Sequence, residues 1–382
     1  MNKIPILYIS QSGPYPPNDG KKQRSLALLK ALEQNYQVDY LIIDHDSDYH
    51  IALQNNKNPN TRFLKIHTTK SLLKTLFKKI GLIFLQDKGV RQYIHQLYLE
   101  NNYQFVFSRY IHPVCFIPAD LKIIADIDDD FLELYRSRIS QAQSAYRIFR
   151  LVQILFLNKC SYQKLKAKVD LPILVKKEKG FLNYLMLPNL PFQLLLNSSI
   201  QFVPFTNPSL LFVGKLTYEP NLHGIQWFIK NVYPSLLEKF PNLPMTLVSP
   251  IDIQDQELEQ MMNNHPAIKK LVDVPNIQST YHTHSVVIAP IFQGAGSNLK
   301  VIEALLMGRP VVTTSFGTKG VEIEIDAIKV ANETKTFSAA LLDLLQSNNL
   351  SEFQKLIFEN SKKKYTFENW TLVLNSELTK IL

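Results

Sequence analysis

The strongest constraint on the fold is a rhythm that runs twice along the chain: a short apolar run, a loop, then a helical pattern. In the first half, the runs at Ile4–Ser10, Val38–Ile43, Phe63–His67, Phe105–Ser108 and Lys122–Ala125 read as strands. Helical patterns separate them, the first with Leu26, Leu29 and Leu32 on one face after the loop Gln11–Gly20. Strands spaced by helices predict a parallel sheet covered by helices. The rhythm restarts after Leu187-Pro188-Asn189, in a stretch punctuated by Pro191, Pro204 and Pro208. Strands are expected there at Leu210–Val213, Met245–Val248, Val286–Ala289, Val311–Thr313 and Ile328–Val330. The helices expected between them are Gly224–Phe240, Asp255–Asn264, Lys300–Met307 and Thr336–Gln346. At 382 residues the chain exceeds the usual size of one core. Two doubly wound, Rossmann-like α/β domains are therefore expected, residues 1–190 and 206–382, with the boundary near 190–206. A helical tail from Thr366, with apolar Trp370, Leu372, Val373, Leu378 and Ile381, closes the second domain and is free to pack back on the first. Open α/β sheets take ligands beyond the carboxyl ends of their strands, so two such domains facing one another would share a central cleft.

The ligand is expected to be an anion. The formal net charge is +9 and the pI about 9.2, which favours nucleotides, phospholipid head groups or nucleic acid. Nucleic acid is set aside, because no zinc-finger spacing and no basic stretch interleaved with aromatics is present. Cys115 and Cys160 are far apart and lack metal-ligand spacing, which argues against a disulfide framework or zinc site and for a reducing cytoplasm. The start of the chain reads as a strand rather than a secretory signal. No segment reaches the ~18 apolar residues of a membrane-spanning helix.

The segment from Ala289 to Val312, API FQGAGSNLKVIEALLMGRPVV, carries the chemistry. It reads strand, glycine-rich loop, helix, tight turn, strand. Gly294 and Gly296 let backbone approach a ligand, and the helix opening near Ser297 offers free N–H groups and a partial positive charge to a diphosphate. Lys300 adds a mobile cation, and Glu303, three residues on, lies on the same face and can accept hydrogen bonds from a ribose diol. The bland alternative is a pair of turn glycines and a solvated Lys300–Glu303 pair.

The whole segment resembles the donor-binding signature of glycosyltransferase family 4, in the retaining GT-B class, whose members read Gly-Ala-Gly-(Ser/Thr)-x-x-Lys-x-x-Glu-Ala-x-x-x-Gly-x-Pro-Val-Val. The likeness continues through Thr313–Glu322, covers Leu211–Asn221 with Trp227-Phe228 on the next helix, and touches Pro14–Gly20 with Arg24 at the front. Residues 45–105 and 130–185 match nothing specific. The resemblance implies a GT-B fold and a metal-independent, cofactor-free transfer from a nucleotide-diphosphate sugar to a glycan. That acceptor is expected to be lipid-linked or part of a surface polysaccharide or lipopolysaccharide. It implies that Gly294, Ala295, Gly296, Ser297 and Lys300 meet donor phosphates, with Gly214 beside them. Glu303 is implied to meet the ribose, and Lys215 to stabilise the leaving diphosphate. Leaving-group charge would be met by fixed lysines and a helix terminus, with retention through same-face attack assisted by the leaving phosphate. Asn298 stands where relatives often carry a basic residue, no Lys follows Lys215 at the usual spacing, and Ala295 replaces the first acid of a paired-glutamate motif. Two alternatives stay open: a catalytically weak homologue serving as a binding or scaffold subunit, and a GT-B sugar-nucleotide epimerase.

Candidates for the sugar or acceptor side are Gly20, Arg24, Arg109, His112 and Asp128. Arg109 and His112 follow a strand, and Asp128 belongs to the run Asp126–Asp130, which reads as a strand end with a helix cap, a cleft residue, or least of all a metal cluster. His282 and His284 alternate along a stretch read as extended and structural. Lys70–Arg91 places Leu72, Leu73, Leu76, Phe77, Ile80, Ile83 and Phe84 at helical spacing among five lysines (Lys70, Lys74, Lys78, Lys79, Lys88). Such a basic amphipathic helix suits the anionic inner face of a plasma membrane, or else packs its apolar side on the first sheet.

Overall fold

A computed structural model describes residues 3–17, 20–128, 130–140, 142, 144–176, 181, 183–191, 200–293, 298–321 and 326–381. The chain divides into two compact units, Met1–Phe192 with Trp370–Leu382, and Gln193–Asn369.

The first unit holds β1 (Ile4–Ser10), β2 (Tyr36–Ile43), β3 (Thr61–Ile66), β4 (Val106–Arg109), β5 (Ile123–Ile127), β6 (Leu171–Leu174) and β7 (Leu185–Met186). They form a seven-stranded sheet in the order β3-β2-β1-β4-β5-β6-β7 among the described residues, with every pair parallel. The second unit holds β8 (Leu210–Val213), β9 (Met245–Ser249), β10 (Ile268–Val272), β11 (Val286–Ala289), β12 (Val311–Thr313) and β13 (Ile328–Val330). Their order is β10-β9-β8-β11-β12-β13, again all parallel. Parallel strands covered by helices on both faces must be apolar throughout. β11 reads Val-Val-Ile-Ala and all four residues are buried. In each sheet the winding reverses once, between β1 and β4 and between β8 and β11, so each sheet is doubly wound and has one switch point where its loops diverge.

The first core gathers Leu7, Ile9, Leu41, Val106, Ile123 and Tyr162. The second gathers Phe212, Ile225, Phe228, Leu247, Ile288 and Phe337. Residues 370–382 return to the first unit as most of the helix Phe367–Ile381. Its Trp370 indole N–H donates to the Pro188 carbonyl at 2.7 Å, and Lys122 donates to the Ile381 carbonyl at 2.7 Å.

Several expectations change. The Lys70–Arg91 pattern is two helices, Leu72–Ile80 and Lys88–Asn101. Gly81 ends the first at φ +100°, a left-handed conformation that suits glycine, and a Cβ there would lie 2.7 Å from Ile154 Cγ1. Asp87 caps the second by accepting from Val90 N–H at 3.0 Å. The stretch before His284 is not extended but a short helix, Ile277–His282, capped by Asn276. Buried His284 is held at both ring nitrogens, Nδ1 2.7 Å from the Thr280 carbonyl and Nε2 2.8 Å from the Thr246 hydroxyl. β6, β7 and β10 were not expected.

Candidate functional site

The second sheet's switch point lies between β8 and β11. Gly214 and Lys215 follow β8, and Pro290 begins the loop after β11. Two helices border this place, Glu219–Asn231 and Leu299–Leu306. The first comes so close to the β11 exit that a Cβ on Gly224 would stand 1.9 Å from the Pro290 carbonyl oxygen. Three residues on, Trp227 packs edge-on against Phe292 with centroids 4.6 Å apart. The two rings, with Pro220, His223 and Gln293, wall a hollow of about 310 Å³ beside the loop.

Lys300 sits in the first turn of the Leu299–Leu306 helix and points its ammonium at the β8 exit. Its Nζ donates to Asn221 Oδ1 at 2.6 Å and lies 5.0 Å from the Phe212 ring centroid. Asn221 Nδ2 in turn donates to the Lys215 carbonyl at 2.8 Å. A Cβ on Gly214 would be 3.1 Å from Lys300 Nζ, Asn221 Nδ2 and Phe212 Cζ alike, so a larger residue there would crowd the ammonium. Burial lowers the Lys300 pKa to about 8, against the opposing pull of Glu303. Glu303 accepts from the Tyr281 hydroxyl at 3.1 Å. Burial raises its pKa, while the Tyr281 hydrogen bond and the charge of Lys300 act to lower it. The Lys215 side chain is exposed and has no polar partner among the described residues.

The unit thus gathers Gly214, the Lys215 backbone, Lys300 and, through the same helix, Glu303. Gly294, Ala295, Gly296 and Ser297 lie outside the described residues. Asn298 turns its amide to the Phe316 carbonyl at 3.0 Å and leaves the helix start uncapped by its side chain. A desolvated ammonium beside a helix N-terminus is equipped to take a diphosphate. Asn221 and Tyr281 are the functional contacts that sequence reasoning missed. Asn221 lies inside a matched stretch, but its partner is 79 positions away, and nothing local marks Tyr281.

In the first unit, Arg24, Arg109 and Asp128 come together around Asp126, which is wholly buried. Arg24 Nε donates to both Asp126 oxygens at 3.0 and 2.9 Å, and its Nη1 donates to Asn189 Oδ1 at 2.9 Å and the Leu187 carbonyl at 3.1 Å. Arg109 donates to Asp126 at 2.7 Å and to Asp128 at 2.6 Å. Burial alone would lower the Arg109 pKa, but Asp128, Tyr110 and Asp126 hold it well above its usual value. Burial likewise works against ionised Asp128, yet Arg109 and Arg24 hold its pKa low. These groups therefore neutralise one another and tie residues 187–189 to the β5 exit. Asp130 caps the next helix, accepting from the Leu132 and Glu133 amides at 2.8 and 3.0 Å. Among the described residues no three His, Cys, Asp or Glu side chains are grouped to hold a metal ion. Gly20 is the exposed first residue of the helix Gly20–Asn35. His112 stands apart from the arginine network. Its Nε2 is 3.1 Å from the Ile83 carbonyl, its ring lies near Phe84 and Phe116, and burial lowers its pKa.

Residues 207–347 match the family model described as Glycosyl transferases group 1. An uncharacterized 44.6 kDa protein in the cps region of Klebsiella pneumoniae is 21% identical over 374 residues, covering 92% of this chain and 93% of that protein. Sucrose-phosphate synthase from Thermosynechococcus elongatus superposes with a TM-score of 0.68 at 14% identity, covering 99% of both chains. HepE from Anabaena, solved in complex with UDP and glucose, gives 0.63 at 13% identity, over 98% of this chain and 99% of that one. These likenesses establish the GT-B fold, and with the matched domain they support a glycosyltransferase.

Proposed function

We propose that the chain is a retaining glycosyltransferase that moves a sugar from a nucleotide-diphosphate donor to a glycan acceptor, in the assembly of a surface polysaccharide. The observation that carries this reading is the half-buried Lys300 ammonium, held by Asn221 at the β8–β11 switch point, with Glu303 one turn along the same helix. A second support is the matched glycosyltransferase domain.

When the bond between the anomeric carbon and the phosphate oxygen breaks, negative charge grows on the departing diphosphate while the sugar becomes oxocarbenium-like. Lys300, the neighbouring helix terminus and the exposed Lys215 supply fixed positive charge where that anion forms, so stabilisation grows with bond cleavage. No bound metal is required on this account. Glu303, steadied by Tyr281, accepts from the ribose diol. The acceptor hydroxyl attacks from the face the diphosphate leaves, passes its proton to the leaving oxygen, and configuration is retained without a protein nucleophile. A UDP-sugar is the favoured donor because HepE was solved with UDP and glucose. The relative from a cps region favours a polysaccharide acceptor, lipid-linked during assembly. Free Cys115 and Cys160 suit a reducing, cytoplasmic setting.

The test is nucleoside diphosphate release from a panel of nucleotide sugars, with product sugar followed by mass. Release that Lys300→Ala abolishes while the variant keeps its fold supports the transferase. Donor binding without turnover across a panel of acceptors points instead to a binding subunit, and an epimerised donor to an isomerase.

A further inference from the structure

The helices Leu72–Ile80 and Ala145–Lys166 are in the first unit and touch each other. Arg150 Nη2 donates to the Lys79 carbonyl at 2.8 Å, and Asn158 Nδ2 donates to the Gly81 carbonyl at 2.7 Å. On the longer helix Leu151, Ile154 and Leu155 pack on the core. Each helix also turns large apolar side chains to solvent. Leu72 is 91% exposed, Leu73 64% and Leu76 53%, and no residue of that helix is buried. On the second helix Tyr146 is 75%, Phe149 66% and Phe156 80% exposed. The Leu72–Ile80 helix thus presents its apolar side outward, the opposite of what a surface helix resting on the sheet would do. Apolar side chains exposed in this number on two touching helices call for a partner.

The charge around them says which. The chain has no Asp or Glu between Asp48 and Asp87, and none between Glu133 and Asp170. The two helices therefore carry no acidic residue, while Lys70, Lys78, Lys79, Arg147, Lys159 and Lys164 on and beside them are exposed. Exposed apolar side chains flanked by unopposed cations are the pattern of a helix lying in a bilayer interface, its apolar groups among acyl chains and its cations at anionic head groups. Lys74 pairs with the carboxylate of Asp87 beside its helix, and a protein partner for the apolar side chains would not by itself account for two helices that carry lysine and arginine and no acidic residue. No helix among the described residues is long and apolar enough to cross a membrane, so contact is with the surface.

We infer that the Leu72–Ile80 and Ala145–Lys166 helices form a docking surface for an anionic lipid bilayer. The longer helix extends the surface well past the basic segment that the sequence pointed to. The inference is independent of the transferase reading, since it needs no donor and no turnover.

The experiment is flotation of the full chain with phosphatidylglycerol-containing vesicles and with pure phosphatidylcholine vesicles, at low and high salt. The expected result is binding to the anionic vesicles only, weakened by salt. Each neutralised lysine should lower partitioning about fivefold, so Lys78→Gln with Lys79→Gln should lower it more than tenfold. Leu72→Asp with Phe156→Asp should abolish it, with circular dichroism unchanged because these side chains are exposed. A single Phe156→Trp should report a blue-shifted emission on the anionic vesicles. Failure to float with anionic vesicles at low salt overturns the inference. So does binding that these substitutions leave intact, or equal binding to neutral vesicles. Self-association lost in the Leu72→Asp, Phe156→Asp variant would assign the surface to a second copy and overturn it equally.

Discussion

Replacing Lys300 with Met should make the protein more stable and leave it unable to hold a diphosphate. The fold keeps an ammonium in a place that favours its neutral form, which is why its pKa drops from 10.5 to about 8. At about 1.36 kcal/mol per unit, that is at most ~3 kcal/mol of strain carried at neutral pH. Met fills a similar volume without charge, but Asn221 Oδ1 loses the donor it now has at 2.6 Å, a loss of about 1 kcal/mol. The net gain should be about 1–2 kcal/mol, or roughly 2–8 °C in the melting temperature of a unit this size. The pH dependence fixes the cause. Below pH 8 lysine is charged in both folded and unfolded chains, so the advantage of Met is complete. Between about pH 8 and 10.5 the folded lysine sheds its proton before the unfolded one does, wild-type stability rises, and the gap closes. Melting curves of both proteins from pH 7 to 10, with calorimetric titration of a nucleoside diphosphate at pH 7, check each part. A variant less stable than wild type at pH 7, or a gap that does not narrow towards pH 10, would refute the reasoning.

Nucleoside diphosphate affinity should fall as pH rises through about 8, approaching tenfold per unit, because the cationic lysine is the binding form; titrations of wild type and Lys300→Arg from pH 7 to 9.5 should show the slope in the first and not the second. Gly224→Ala forces a methyl group to 1.9 Å from the Pro290 oxygen and should cost about 3 kcal/mol, read as a lower denaturation midpoint. Asp126→Asn leaves two buried guanidiniums without their shared carboxylate and should destabilise the first unit by about 3–5 kcal/mol, measured by chemical denaturation.

The fold was legible where a buried strand reads as an unbroken apolar run, whereas β6, equally buried, was missed because Pro172 interrupts its four residues. Val286–Ala289 and Leu210–Val213 occupy the centre of their sheet, read as unbroken apolar runs, and end where the sequence placed them. β10 was missed because Ile268-Lys269-Lys270-Leu271-Val272 is an edge strand with one buried residue, so its pattern carries no period. β7 has two residues, too few for any pattern. In Lys70–Arg91 the helical spacing survives the break, because Gly81 reverses the backbone without disturbing the periodicity of the letters around it. For the site, residue types along one helix located Lys300 and Glu303, but the contacts that tune them come from Asn221 and Tyr281, brought near only by tertiary packing. The same limit applies to Arg24, Arg109 and Asp128, which look like free polar candidates in sequence and prove to satisfy one another around Asp126.

The central claim is that Lys300 and the helix it opens hold a diphosphate at the β8–β11 switch point. The most direct test is a crystal structure of the protein with a nucleoside diphosphate. A phosphate oxygen within hydrogen-bonding distance of Lys300 Nζ, with the ribose against Glu303, is the predicted result. A nucleotide bound away from the ends of β8 and β11, or a Lys300 ammonium still held by Asn221 with no phosphate near it, would contradict the account.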